Sequence, residues 1–232
     1  MFGLGTLMNC GAILIGGLFG LLFGRFMKER IQDSLTKTCG ICTLFIGIAG
    51  ALEHMREADG SLLIIGCLAL GTFIGELLNI EELFERFGEW LKQKTGNAKD
   101  KQFVEAFVVS SLTVCIGAMA IVGAIEDGIN GNSSILATKA ILDLIIIMVM
   151  TCAMGKGCIF SAIPVGVLQG TVTVLARLVS PIMTDTALTN LSMIGSILIF
   201  CVGVNLVWGK KIRVANMLPA VILAVVVAFL PI

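Results

Sequence analysis

Apolar residues run almost unbroken from Phe2 to Gly24, and the stretch GAILIGGLFGLLFG over Gly11–Gly24 holds neither a charge nor a proline. A helix of that length crosses about 30 Å of hydrocarbon. Further apolar runs follow, and the pattern predicts an all-α polytopic bundle of about eight spans, approximately 3–24, 38–53, 61–79, 103–124, 136–154, 158–177, 191–208 and 214–231. Spans two and five sit near the lower length limit for crossing. Between spans three and four the period changes. In IEELFERFGEWLKQK, Leu83, Phe84, Phe87, Trp90 and Leu91 share one helical face, while Glu81, Glu82, Glu85, Arg86, Glu89 and Lys92 take the other. This predicts an amphipathic helix over 81–94 on the cytoplasmic membrane surface, with Trp90 at the interface. Docking on the protein's own inner face is the alternative.

Glycine recurs every four residues at Gly16, Gly20 and Gly24, a spacing that lets a second helix approach the backbone closely. Gly-xxx-Gly returns at Gly71/Gly75 and Gly166/Gly170. Each time the next span carries a short second pattern, Phe45-Ile46-Gly47-Ile48, Cys115-Ile116-Gly117-Ala118 and Cys201-Val202-Gly203-Val204. These copies predict a repeated hairpin whose third occurrence is inverted. Many secondary transporters are built so, with a site near the midplane between repeats. Chance matching among 27 glycines is the competing explanation.

Composition agrees with a membrane protein: 57% of the 232 residues are hydrophobic and mean hydropathy is +1.00. Net charge is zero, so no field favours nucleic acid and no nucleic-acid partner is expected. The basic residues are unevenly placed. Arg25, Lys28, Arg30 and Lys37, then Arg86, Lys92, Lys94, Lys99 and Lys101, then Lys156, then Lys210, Lys211 and Arg213 fall in alternate linkers. The opposite loops hold only Arg56, Lys139 and Arg177. Positive-inside bias therefore predicts both termini outside. The first residues lack a basic n-region and a cleavage site, so no removable signal is expected. Eight cysteines lie mostly in apolar runs and read as small packing residues. Cys39 and Cys42 form a lone C-x-x-C at the start of span two, without a second pair to hold a metal.

Polar groups inside spans are the candidates for chemistry, because hydrocarbon penalises them. Asp143 is flanked by apolar residues with Lys139 one turn earlier. That spacing fits a structural ion pair, or a cation or proton site with Lys139 as counter-ion. Glu76 follows the second glycine motif, where it either supplies charge or snorkels to the surface. Asn9, Ser161, Gln169 and Asn205 line a site between repeats, or make ordinary interhelical hydrogen bonds. Pro164 would break span six and free carbonyls. Asp127 belongs to an acidic, glycine-rich outer loop suited to attract cations to a pore mouth, or to an ordinary turn. His54 reads as a surface residue. No phosphate-binding loop, zinc-protease motif or nucleophile elbow is present, so neither an enzyme nor a cofactor is expected.

The stretches GTLMNCGAILIGGLFG, CIGAMAIVGAIEDGINGNSSILATKAILD, SAIPVGVLQG and NMLPA resemble the bacterial YqgA/YdfK family of integral membrane proteins, across essentially the whole chain. The resemblance implies a multi-pass protein of the bacterial cytoplasmic (inner) membrane, of unknown biochemistry, sometimes labelled a possible sodium channel or pump. It carries over no catalytic residues. The expected role is passage of a monovalent cation or small solute by a channel or secondary transporter, acting as a homo-oligomer. The rival is a membrane scaffold or sensor that recruits a partner at its inner face.

Overall fold

A computed structural model describes residues 3–26, 28–55, 60–116 and 118–229. They form α1 (Leu4–Gly24), α2 (Glu29–Met55), α3 (Gly60–Leu78), α4 (Ile80–Lys94), α5 (Phe103–Cys115), α6 (Ala118–Asn130), α7 (Ser134–Met154), α8 (Ala162–Val174), α9 (Ala176–Val179), α10 (Asp185–Trp208) and α11 (Pro219–Val227). 3₁₀ turns at Lys156–Ser161 and Val214–Met217 lead into α8 and α11. No strand occurs among the described residues.

Among these residues, five helical segments are long and apolar enough to cross a membrane, or up to seven if each of two bent pairs is one span. A shorter apolar segment, Val214–Val227, joins them. Each bend sits at an identifiable residue. Between α3 and α4 the chain turns by 50° at Asn79, whose φ of 50° lies in the left-handed region that asparagine tolerates better than most residues. Between α5 and α6 it turns by 62° beside Ile116, which is extended. The predicted continuous span 103–124 is therefore two half-helices. Span two begins earlier than predicted, because the polar run from Glu29 is already helical; Cys39 and Cys42 consequently lie inside α2, not at its start. The acidic outer loop is also mostly helix, since α6 runs through Asn130. Arg56, Glu57 and Asp59, and the side chains of His54 and Arg177, lie outside what is described.

Glycine seams hold the helices together. α1 and α7 run parallel. A Cβ on Gly16 would lie 2.3 Å from the Leu144 carbonyl oxygen, and one on Gly20 2.5 Å from that of Met148. α2 and α10 are antiparallel and interlock, Gly47 against Phe200 and Gly203 against Leu44. Gly71 and Gly75 receive Ala220 and Asn216 at the start of α11. The third motif differs: Gly166 meets only Cys10 Sγ, and Gly170 faces open space. The closest internal likeness lies elsewhere. α7 and α10 each end in a glycine of positive φ followed by lysine, Gly155-Lys156 and Gly209-Lys210. Each then enters a 3₁₀ turn and a proline-bearing helix.

α5 is the axis, with Phe103, Ala106 and Phe107 wholly buried. One side joins Ile194, Leu198 and Val202 of α10, and the other joins Ile13, Ile147 and Val165. The outer surface is apolar instead. Leu14, Ile15, Leu18, Phe19 and Leu22 of α1 are exposed, as are Ile141, Leu142 and Ile145 of α7. An aqueous protein rarely shows so large an apolar surface; a lipid-facing one does. α4 docks one face on the protein and leaves the other uncovered. Leu91 and Gly88 are buried against α5, while Leu83 and Trp90 are exposed.

Candidate functional site

A strip of polar side chains lies buried where α1, α6, α7 and α8 meet. α1 supplies Thr6 and Asn9, and α8 supplies Gln169 and Thr173, each pair three or four residues apart and so on one helical face. The hydroxyls of Thr6 and Thr173 are 3.4 Å apart, which fixes the register. From α6 the fully buried Asp127 accepts a hydrogen bond from the Gly5 backbone N–H at 3.0 Å. A carboxylate there complements the positive end of α1. Close approach makes this possible: a Cβ on Gly128 would sit 2.4 Å from the Thr173 carbonyl oxygen.

One turn deeper, the Asn9 amide lies beside the Asp143 carboxylate of α7. Asp143 is 3% exposed and Lys139 7%. The Lys139 ammonium donates to Asp143 Oδ1 at 2.8 Å, Asp143 Oδ2 at 2.6 Å and the Val114 carbonyl at 2.9 Å. Val114 closes α5 at the break, so a cation sits on the negative end of a half-helix. Ordinary membrane helices leave such carbonyls bonded within the helix; here the interruption exposes them.

Several of these groups lack partners. Both polar atoms of Asn9, both of Gln169 and Asp127 Oδ1 are buried without a protein hydrogen bond. The large majority of buried side-chain polar atoms are satisfied, so five that are not, on one seam, point to water or a solute between the helices. Beyond Asp143 the seam is closed by Ile13, Ile147 and Val165, each 0% exposed. Past that layer, Thr151 borders a hollow of about 270 Å3, and a second of about 420 Å3 adjoins it. These share Gln32, Gln102, Ala153 and Met154.

The structure thus brings Asn9, Asp127, Asp143 and Gln169 together. It places Asp127 in the buried seam rather than in a loop. Ser161 is buried on the 3₁₀ turn before α8, where its hydroxyl donates to the Cys158 carbonyl at 2.7 Å. Glu76 and Asn205 lie elsewhere. Glu76 is exposed and pairs with Arg213 at 3.1 Å. Asn205 folds back on the loop after α10, accepting from the Lys211 and Ile212 N–H groups at 2.9 Å and donating to the Ile212 carbonyl at 2.7 Å. It borders a cavity of about 280 Å3 with Glu81, Glu85, Glu105 and Lys210. There Lys210 bridges Glu81, at 2.7 Å, and Glu85. Burial opposes its charge, but the two carboxylates outweigh that and hold the ammonium above its ordinary range. Thr6, Thr173 and Thr151 were hidden in the sequence; each lies three or four residues from another buried polar or small residue on its helix. No cluster of three or more metal-ligating side chains occurs among the described residues.

The family model described as a protein of unknown function, DUF554, matches residues 4–229. The chain is similar to an Escherichia coli (strain K12) protein named "Uncharacterized protein YqgA". The two are 29% identical over 225 residues, covering 95% of this chain and 94% of that protein. It is also similar to the Bacillus subtilis (strain 168) "Uncharacterized membrane protein YdfK", 26% identical over 225 residues, with 97% and 95% covered. No solved structure matches.

Proposed function

Because the chain belongs to the DUF554 family of unknown function, we propose a role read from its own buried groups: passage of a monovalent cation or small solute along the seam of α1, α6, α7 and α8, as a channel or secondary transporter. One observation carries this reading. Asn9, Gln169 and Asp127 leave unpartnered polar atoms inside a bundle whose outer surface is apolar, and polar groups are kept in hydrocarbon chiefly for a pathway. In this scheme Asp127 and the Thr6–Thr173 pair receive the solute and Asn9 and Gln169 carry it inward. The Asp143–Lys139 pair sets the charge, and the layer of Ile13, Ile147 and Val165 is the gate. Thr151 marks the exit into the hollow it borders. The proposed topology has all eight apolar runs crossing the bacterial inner membrane with both termini outside, and the assembly is a homo-oligomer. The internal repeat belongs to the same proposal, the two turn-and-proline hairpins supporting it better than the glycine motifs.

The test is flux into proteoliposomes, with sodium, potassium and proton gradients imposed in turn. Asn9→Leu and Gln169→Leu remove unpartnered amides at nearly constant volume, so both variants should fold at least as well as the parent and lose flux. Flux that is absent from the parent, or unaltered in both variants, refutes the reading. A scaffold is the second reading. It is supported by α4, whose Leu83 and Trp90 remain uncovered beside Arg86 and Lys94, and it predicts no flux under any gradient.

A further inference from the structure

We propose that the cavity enclosed by α5, α8, α10 and α11 binds a single-chain, neutral-headed amphiphile of the bilayer, with the Ser111 hydroxyl holding its head. The site is separate from the transport seam and does not rest on it.

The cavity measures about 290 Å3, near the lower end for ligand pockets. Its walls arise where the fold interrupts its helices: Cys115 at the end of α5, Pro164 and Leu168 in the opening turns of α8, and Leu218 before α11. Half-helices leave space that continuous helices would fill. Ile222 stands at the rim and is 68% exposed on the apolar outer surface. The mouth therefore opens sideways, into lipid.

Among the described residues, Ser111 is the one hydroxyl in this wall, which otherwise holds only the Cys115 thiol and apolar groups. It is 1% exposed, and its hydroxyl has no partner. Its neighbours behave differently. Ser110 bonds back to the Phe107 carbonyl at 3.2 Å, and Thr113 to that of Val109 at 2.8 Å, the usual refuge of a hydroxyl in an apolar helix. Ser111 forgoes that bond while facing an apolar cavity. A ligand atom able to accept or donate one hydrogen bond completes it. No cation or anion lines the cavity, so a charged head would be stranded. A hydroxyl, ester or ketone on an acyl or alkyl chain satisfies both the hydroxyl and the apolar wall.

The experiment is photocapture of a diazirine-bearing dodecanol by the full-length protein in lipid nanodiscs, with the labelled peptides read by mass spectrometry. Labels should concentrate on 164–168 and 218–222 and be competed by unlabelled dodecanol better than by dodecanoate. Ser111→Ala should weaken capture about fivefold, the loss of one hydrogen bond, and Ser111→Thr should retain it. Leu168→Trp, which fills the cavity, should abolish it. Labelling spread evenly over the lipid-facing helices, or unchanged by Leu168→Trp, overturns the site. Equal capture by Ser111→Ala overturns the role of the hydroxyl, and that variant is mild enough to fold.

Discussion

Replacing Asp143 by Asn probes the seam at its most charged point. The substitution removes the negative charge opposite Lys139 and weakens two of the ammonium's three hydrogen bonds, leaving the Val114 carbonyl at 2.9 Å as its firm acceptor. The side chains of Lys139 and Asp143 are 9% and 4% exposed, so bulk water does not take the place of the carboxylate. Breaking a buried pair from one side costs about 3–5 kcal/mol. A lone charge at the centre of a membrane helix costs about 2.5–3.5 kcal/mol by insertion, an independent figure of the same size. Removing both charges, as Lys139→Met with Asp143→Leu, should instead leave stability within about 1 kcal/mol of the parent, because the desolvation of both groups is relieved together. Lys139→Met and Asp143→Leu, each made alone, should therefore couple by about 3 kcal/mol or more. Unfolding in mixed micelles by added dodecyl sulfate, followed by helicity, measures all four corners of the cycle. If Asp143→Asn costs less than about 1 kcal/mol, or if the double variant loses the sum of the single effects, the pair is already wet. The reading of the pair as shut off from bulk water then fails.

The remaining predictions are smaller. Gly20→Ala should force α1 and α7 apart by roughly 0.9 Å, since a Cβ would lie 2.5 Å from the Met148 oxygen where about 3.4 Å is ordinary. It should lower the unfolding midpoint, whereas Gly11→Ala, with nothing within 4 Å, should raise it or leave it unchanged. Ile147→Ser should make the protein leaky in the proteoliposome assay by wetting the apolar layer, and should cost roughly 2–4 kcal/mol through the cavity it leaves; a tight protein would remove that layer as the gate. Asn205→Ala should destabilise by roughly 0.5–1.5 kcal/mol through the hydrogen bonds lost to Lys211 and Ile212 while leaving flux per folded molecule unchanged. Lys210 has a raised pKa in the folded state, so its contribution is complete below its unfolded value of about 10.4 and is lost as pH rises through the higher folded value. With Lys210 half exposed that contribution is under about 1 kcal/mol. Lys210→Met should therefore shift the unfolding midpoint slightly at pH 7 and less at pH 11.

Much of the architecture could be read from period and composition, because a helix bundle in lipid obeys local rules. Gly16, Gly20 and Gly24 announced a close helix contact, and α1 makes one with α7. The face of Leu83, Phe84, Phe87, Trp90 and Leu91 announced α4, though not that Leu91 would turn inward and Trp90 outward. The breaks were harder. Ile116 and its neighbours are as apolar as the rest of span four, and nothing in hydropathy distinguishes a bent helix from a straight one. The bend follows from what packs around it, the α8 and α10 walls and the Lys139 ammonium on the Val114 carbonyl, which is tertiary information.

Asn9 and Asn205 show why the site was only partly legible. Both are asparagines in apolar helices, and period alone treats them alike. Their positions along the helix separate them. Asn205 is within one turn of the end of α10, ahead of the glycine at Gly209. An amide there can reach the unpaired groups of the loop, and it does so three times. Glu76 is likewise two residues from the end of α3, close enough for its carboxylate to meet Arg213 outside. Asn9 is mid-helix, where every nearby backbone group is already bonded, and a short side chain cannot leave the hydrocarbon. Gln169 is longer, but the same restriction applies one turn before Thr173. A polar residue more than a turn from either helix end can be satisfied only by a neighbouring helix, by water or by what passes between them. For Gln169 the neighbouring helices do not provide it, and for Asn9 they bring up only the Asp143 carboxylate, short of a hydrogen bond; that leaves the seam's contents as the missing partner.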